Sequence, residues 1–466
     1  MTPPVARLDM DIGALDPAAY DGRIDHLDCY RLDQVDLAGY QGLIIAGMVD
    51  QEYLLRHRDR IAAYLAGGGV LVFGGHLHRD WLPGCSPFVP LPHPTLAAYR
   101  VAEVAEHPLF DGLGPDELTF RRGVAGFFAR GHHPPPPGVE VLVRLGGGEP
   151  AIYLDRVSTA GTVLVQATSD PLTGDGRRLV DWILAEASAN HSAGHAGTDH
   201  SAGRTGADQS AGPSGADQAG ADRTGAGHSA NRASASYTTT GDLHTVTAGA
   251  PPPAGRGLAA VYGGSAWHHR ALTEPKYARH LTGGLLYLPD LADTDLTGHP
   301  GLLIPERLHR GLLTRAAPRI LELLDAGGTV AAFAGGEPVP EFLPGVRWQH
   351  RPTNFWWWLE PGADLGLRTP VPEHPLFERL AMRDCTWHYH GVLDPPDGAE
   401  VLVTLPGGEA LLYVDRVSTP GTLVVSTLDP LSHYGGYFMP ATERFLDGFL
   451  PWLAGEVGTR RAVTVE

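Results

Sequence analysis

The fifteen residues Ala151–Val165, AIYLDRVSTAGTVLV, return 260 positions later as Leu411–Val425, LLYVDRVSTPGTLVV, with nine of the fifteen identical. Whatever fold the first stretch needs, the second needs too, so the repeat constrains the chain more than any other feature. The match is not isolated. DLAGYQGLIIAG (Asp36–Gly47) pairs with DLTGHPGLLIPE (Asp295–Glu306), and AGGGVLVFGG (Ala66–Gly75) with AGGTVAAFAG (Ala326–Gly335). WLPG at Trp81 pairs with FLPG at Phe342, and HPLFDGL at His107 with HPLFERL at His374. Ordered matches over so long a period mean two whole domains, not a solenoid of short repeats.

Between the copies the chain turns to Gly, Ala, Ser and polar residues with stuttering HSAG and GADQ units. Such a segment buries too little apolar surface to offset its ordering entropy, and is expected to be a disordered tether. The domain reading is therefore 1–187 for a first domain, 188–253 for the linker, 254–456 for a second domain and 457–466 for a tail.

Each copy reads as α/β. The runs GLIIAG and GLLIP are wholly apolar, as a strand buried on both faces requires. Leu54, Ile61 and Leu65 fall on one helical face, and Gly67–Gly69 stops that helix. VLVF and VAAF follow directly, and a strand–helix–strand unit with short joints implies a parallel, right-handed crossover. VEVLVRL, PAIYLDRV and TVLVQAT read as later strands, RRLVDWILAEA as a closing helix, and the second copy repeats them. The Ser-Thr-Pro-Gly of DRVSTPGT is turn chemistry, so the best-repeated stretch is read as a structural connection.

A net charge of −18 repels phosphate backbones, so nucleic acid is not an expected partner. No apolar run approaches the roughly 20 residues of a membrane span, and the start shows no signal-peptide pattern, so a cytoplasmic protein with no membrane partner is expected. Cys29, Cys85 and Cys385 are odd in number and far apart, and read as free thiols. Lys276 is the only lysine among 35 basic residues, which with the heavy Ala, Gly, Pro and Arg usage reads as GC-rich codon bias, and a bacterial source is expected.

Taken in order, the GLLIP-type strand, a helix ending in GGG or AGG, an elbow strand, HPLF and a late GTLVVSTLDP…H strand resemble the ThuA-like (trehalose-utilisation) branch of the class I glutamine amidotransferase-like superfamily. The resemblance implies two flavodoxin-like, doubly wound domains. Amidotransferase relatives carry a cysteine on the strained turn after the elbow strand, beside N–H groups that hold an oxyanion. Here the elbows read Phe73-Gly74-Gly75-His76 and Phe333-Ala334-Gly335-Gly336-Glu337, without Cys or Ser. Thiolate hydrolysis of glutamine is therefore not expected from either half. ThuA-like relatives also lack that cysteine and are associated with sugar metabolism, which implies a carbohydrate or similar ligand.

Ligands of open α/β sheets bind beyond the carboxyl ends of the strands. There the first copy offers Gly47, Met48, His76, His78, Arg121, Arg122 and Asp170. The second offers Ser265, His268, His269, Glu306, Gly336, Glu337, His388, His390, Asp429, His433 and Tyr434, and as the set richer in proton-exchanging groups it is the expected ligand site. His388 and His390 would share one face of an extended strand, a two-histidine metal arm that Glu306, Asp429 or His433 could complete. Hydrogen bonding or surface exposure is the preferred reading, with no metal or cofactor expected. Arg121 and Arg122-Gly123 are taken as the matching residues of the first copy. Amidotransferase relatives carry their catalytic histidine where His433 stands, so His433 is read as a ligand partner or a base acting on water. Asp429, matched by Asp170, is read as a turn or capping residue. Phe355 and Trp356–Trp358 read as core or inter-domain packing, with sugar stacking as the functional alternative. The readings that remain are a small polar ligand bound by the second domain, and a scaffold whose two domains pair intramolecularly as a pseudo-dimer.

Overall fold

The computed structural model describes residues 4–10, 22–92, 95–120, 129–168, 176–199, 257–336, 338–351, 357, 361–437 and 439–463. The first half holds β1 (Val5–Asp9), β2 (Ile24–Asp28), β3 (Gly42–Ile45), β4 (Val70–Gly74), β5 (Val89–Pro90), β6 (Val101–Val104), β7 (Gly131–His132), β8 (Glu140–Leu145), β9 (Pro150–Asp155) and β10 (Thr162–Gln166). The second holds β11 (Leu258–Tyr262), β12 (Gly284–Tyr287), β13 (Gly301–Ile304), β14 (Thr329–Phe333), β15 (Trp348–His350), β16 (Gly391–Leu393), β17 (Glu400–Thr404), β18 (Ala410–Asp415) and β19 (Thr422–Ser426).

One sheet runs β2-β1-β3-β4-β10-β9-β8-β6 and the other β12-β11-β13-β14-β19-β18-β16-β15, with β17 also on β18. The first five strands of each are parallel, and antiparallel strands follow. In the first half β5 and β7 form a separate ribbon, whereas their counterparts β15 and β16 extend the second sheet.

The apolar runs are continuous because both sheet faces are covered. Val70 and Val72 point into one core with Val180 and Ile183 of the closing helix. Leu71 and Phe73 point into another with Ile61 and Leu65 of the helix Arg58–Ala66. The second half repeats this with Leu258 and Ala260 on one side and Ala259 and Val261 on the other. The expected single helix after β3 is two, Gln51–Arg56 and Arg58–Ala66, and after β13 it is Arg310–Arg315 and Ala317–Asp325. In the second half Pro318 explains the break, since it lacks the N–H that would continue the ladder. The closing helix Gly176–Asp199 runs past the boundary expected at 187, and Pro440–Val463 takes up most of the expected tail. Asn190 anchors the first extension by donating to the Gly68 carbonyl (3.1 Å) and the Thr162 hydroxyl (3.1 Å). The remainder of the expected tether, from 200, lies outside the described residues. Among the described residues no helix is long and apolar enough to cross a membrane.

The repeated motifs hold one another. Asp155 accepts from the N–H groups of Val157 (2.8 Å) and Ser158 (2.9 Å), and Asp415 does the same for Val417 (2.8 Å) and Ser418 (3.0 Å). The glycines of the two LPG motifs, Gly84 (φ +76°) and Gly345 (φ +72°), press on these turns, where a Cβ would meet Asp155 and Ser158 or Ser418. Arg156 pairs with Glu186 on one closing helix and Arg416 with Glu456 on the other. His107 and His374 cap HPLF by accepting from the N–H groups of Leu109 and Leu376, and their rings meet Trp182 and Trp452 edge-on. The DRVST stretch is a structural joint in both halves.

Contacts between the halves follow a reciprocal pattern. Asp50 caps its helix through Glu52 and Tyr53, and its other oxygen accepts from the hydroxyls of Tyr30 (2.8 Å) and Tyr287 (2.6 Å). His309, which stands eight residues after Gly301 as Asp50 does after Gly42, donates through Nε2 to Asp28 at 3.2 Å. Strand register makes Asp28 the counterpart of Tyr287. Each half thus offers the same two positions to the other. Tyr262 also donates to Glu52 (3.0 Å), and the Gln51 N–H to the Gly264 carbonyl (3.0 Å).

Candidate functional site

Beyond the carboxyl ends of β13, β14 and β19, the second half gathers Glu306, Arg307, Asp429 and His433, and the segment entering β16 adds Trp387, His388 and His390. Asp429 opens the helix Pro430–Gly435, but its side chain caps nothing. It turns inward instead, fully buried. Oδ1 accepts from Trp387 Nε1 (3.3 Å) and lies 3.6 Å from His433 Nε2. Oδ2 lies 3.2 Å from His390 Nε2 and 3.6 Å from the Arg307 guanidinium. The capping role expected for Asp429 is thus corrected: it accepts from Trp387 and lies among His390, His433 and Arg307, and its burial is stabilised by that company rather than by a turn.

His388 Nε2 and His433 Nε2 are 2.8 Å apart and share one hydrogen bond. His388 is only 6% exposed, so of the two preferred readings, hydrogen bonding or surface exposure, it follows the first. Burial, reinforced by His433, pushes the His388 pKa down to about 2, and burial pushes that of His433 to about 4 despite Asp429 nearby. Burial acts upward on Asp429, but His433 and His390 outweigh it and hold the carboxyl well below its usual range. Glu306 goes the other way, up to about 8, through burial and the charge of Asp429. Its Oε1 accepts from the Ser432 N–H at 2.6 Å. At neutral pH His388 and His433 are therefore neutral beside an ionised Asp429, with a protonated Glu306 next to them.

The other expected residues divide. Ser265 caps the helix Ala266–Thr273 by accepting from the His268 N–H, and His268 Nε2 donates to the Glu306 carbonyl (2.8 Å), so both support the cluster from behind. Gly336 lies next to it, with His390 Nδ1 4.0 Å from where a Cβ would sit. His269 and Tyr434 do not join. His269 faces His78 of the first half (4.7 Å between rings), and Tyr434 lies under Arg270, whose guanidinium carbon is 4.1 Å from its ring centre. His76 stacks on Phe88 (3.6 Å). A cleft of about 320 Å³ between the halves is lined by His76, His78, Phe88, His269, Arg270 and Tyr437. A smaller cavity of about 120 Å³ reaches Arg307, with Leu308, Phe333 and Phe342 in its wall. Gly47 backs Gly75, whose added Cβ would collide with it. Arg121, Arg122, Asp170, Glu337, Phe355, Trp356 and Trp358 lie outside the described residues, and Trp357 is half-buried.

Sequence reasoning missed Arg307, Trp387 and Arg130. Arg307 adopts φ +60°, a left-handed conformation rare outside glycine. Counting back eight residues from GVEVLV and GAEVLV, Arg130, not Arg121 or Arg122, stands where the second half has His390. The two equally spaced β-segments Gly131–His132 and Gly391–Leu393 confirm that register. Arg130 is buried over the Tyr99 ring at 4.8 Å, and burial pushes its pKa down to about 9. All three cysteines are buried and unpaired, and burial pushes the Cys85 and Cys385 thiols up to about 12.

No protein-family model matches the chain, and no curated protein does. Among solved structures it is similar to a polyextremophilic β-galactosidase from the Antarctic haloarchaeon Halorubrum lacusprofundi, at 17% identity and a TM-score of 0.26 over 40% of this chain and 31% of that one. It is also similar to the exo-β-1,4-mannosidase Op5Man5 from Opitutaceae bacterium strain TAV5, at 13% identity and a TM-score of 0.25 over 41% and 35%. A third is the cytoplasmic protein STM1381 from Salmonella typhimurium LT2, at 12% identity and a TM-score of 0.26 over 40% and 98%. The chain spans about a third of the length of each of the two glycosidases.

Proposed function

We propose that the second half binds a small polar molecule at its strand ends, held by His433, His390 and Arg307. The observation that carries this is the convergence of three histidines on the buried Asp429. A neutral imidazole such as that of His433 can both donate and accept, which suits hydroxyl groups, so carbohydrates are the class to test first. The parallel order β2-β1-β3-β4-β10 follows the 2-1-3-4-5 winding of flavodoxin-like sheets and supports the ThuA-like, amidotransferase-like reading. With no cysteine or serine at either elbow, that reading does not include thiolate hydrolysis of glutamine. Thermal-shift screening of sugars and amino acids against wild type and His433→Ala tests it, since binding raises the melting temperature with occupancy. A true ligand's shift shrinks in the variant; equal shifts in both remove His433 from the site.

A second reading, an internal pseudo-dimer serving as a scaffold, is favoured by the exchanged contacts Asp50–Tyr287 and His309–Asp28. Such reciprocity is what a two-fold interface made covalent would keep.

A further inference from the structure

We infer that His388, His390 and Asp429 bind one divalent transition-metal ion of the zinc class, leaving a coordination position open toward Arg307. The inference builds on the ligand-binding reading of the same cluster and supplies what the ligand would bind to.

One ligating atom from each of the three residues lies within 4.8 Å of the other two. The His390 Nε2–Asp429 Oδ2 separation of 3.2 Å is close to the roughly 3.4 Å between neighbouring donors around a tetrahedral ion with bonds of about 2.0–2.1 Å. Two imidazoles and one carboxylate select against magnesium and calcium, which take oxygen shells, and suit zinc, iron(II) or cobalt(II). The supporting contact is present: Trp387 Nε1 holds Oδ1 of Asp429, leaving Oδ2 directed at His390. The first half has Arg130 at the His390 position, a cation where a ligand would be needed, so one ion per chain is expected.

Charge decides what fills the open position. A dication, one ionised aspartate and Arg307 at 3.6 Å leave an excess of positive charge. An anionic oxygen on the metal, from hydroxide or a small carboxylate or alkoxide ligand, would balance it. His433, 2.8 Å from His388 and 3.6 Å from Asp429, stands at the rim to hydrogen-bond that oxygen.

The test uses the full chain without an affinity tag, stripped by dialysis against chelator. It is titrated with Zn²⁺ by calorimetry and with Co²⁺ by absorption. One saturable equivalent is expected, with cobalt ligand-field bands and no sulfur-to-metal charge transfer. His390→Arg, which installs the first half's residue, and His388→Asn should each weaken binding at least about 100-fold, since even outer-shell changes cost about 10–100-fold. A chain with His195→Ala, His200→Ala and His228→Ala should keep the equivalent, separating it from the histidine-rich stretch between the halves. If a variant does not fold, the wild-type cobalt spectrum still decides. No saturable equivalent, or one that survives both site substitutions, overturns the site, as does a thiolate signature. Repeating the small-molecule screen in excess chelator separates the two readings. A shift that persists there and needs His433 keeps ligand binding and sinks the metal. Metal bound without any ligand shift supports the metal site and counts against the ligand.

Discussion

Asp50 has no solvent exposure and accepts four hydrogen bonds, two from backbone N–H groups and two from tyrosine hydroxyls. Burial nonetheless pushes its pKa up to about 6, with Glu52 adding repulsion. The folded chain then holds this proton over a window, from about pH 4 to about pH 6, in which the unfolded chain releases it. The contribution is present below that window and is lost as pH rises through it, at most on the order of 3 kcal/mol for a shift of about two units. Asp50→Asn removes the term, so the gap in urea midpoint between wild type and variant should move against the wild type from about pH 4.5 to 6.5. A pH-independent gap contradicts the assignment. Residues such as Asp50 and His309 look like ordinary helix caps in the sequence, and nothing local says that the other half supplies a partner. His388, His390, Asp429, His433 and Glu306 were legible because each follows or precedes a readable strand. Arg307 was not, since its left-handed backbone leaves no compositional trace, and Trp387 was not, since a buried tryptophan beside a strand carries no sign that its N–H meets Asp429.

The legible elements are those built from local rules. Continuous apolar runs became strands buried on both faces, and DRVST became a turn because Asp155 and Asp415 satisfy the turn's own N–H groups. What stayed hidden is of two kinds: the extension of the closing helix past 187, where Asn190 reaches distant partners, and the break between paired helices in the first half at His57, made by local contacts. Gly84 tests the motif-against-motif packing. Gly84→Ala adds left-handed strain of about 1–2 kcal/mol and drives a Cβ into Asp155 and Ser158, so a loss of about 2–4 kcal/mol is expected in urea unfolding. Gly112→Ala, at φ +73° with open space around it, carries the backbone cost alone. Equal losses at the two sites would mean that the LPG loop yields freely and the turn does not depend on it.

At the scale of the whole molecule, the two sheets are joined through buried polar contacts that change roles across the seam. Tyr287→Phe leaves Asp50 one donor short, a loss of about 1–2 kcal/mol, and His309→Ala strips Asp28 Oδ2 of its partner from the other half. Together they should divide the calorimetric unfolding trace into two transitions, one for each half. A single undivided transition at the wild-type midpoint would show that other contacts carry the coupling. His309 stands two residues after Arg307, on the short segment that leads from β13 into its helix. If a bound oxygen on the proposed site drew the Arg307 backbone with its guanidinium, it would pull on a stretch of chain whose far end is moored to the opposite lobe. By thermodynamic reciprocity, loosening that mooring must change occupancy by the same factor that occupancy changes the mooring. Doubling the chain would then have given the second lobe a fixed anchorage two residues from the proposed site.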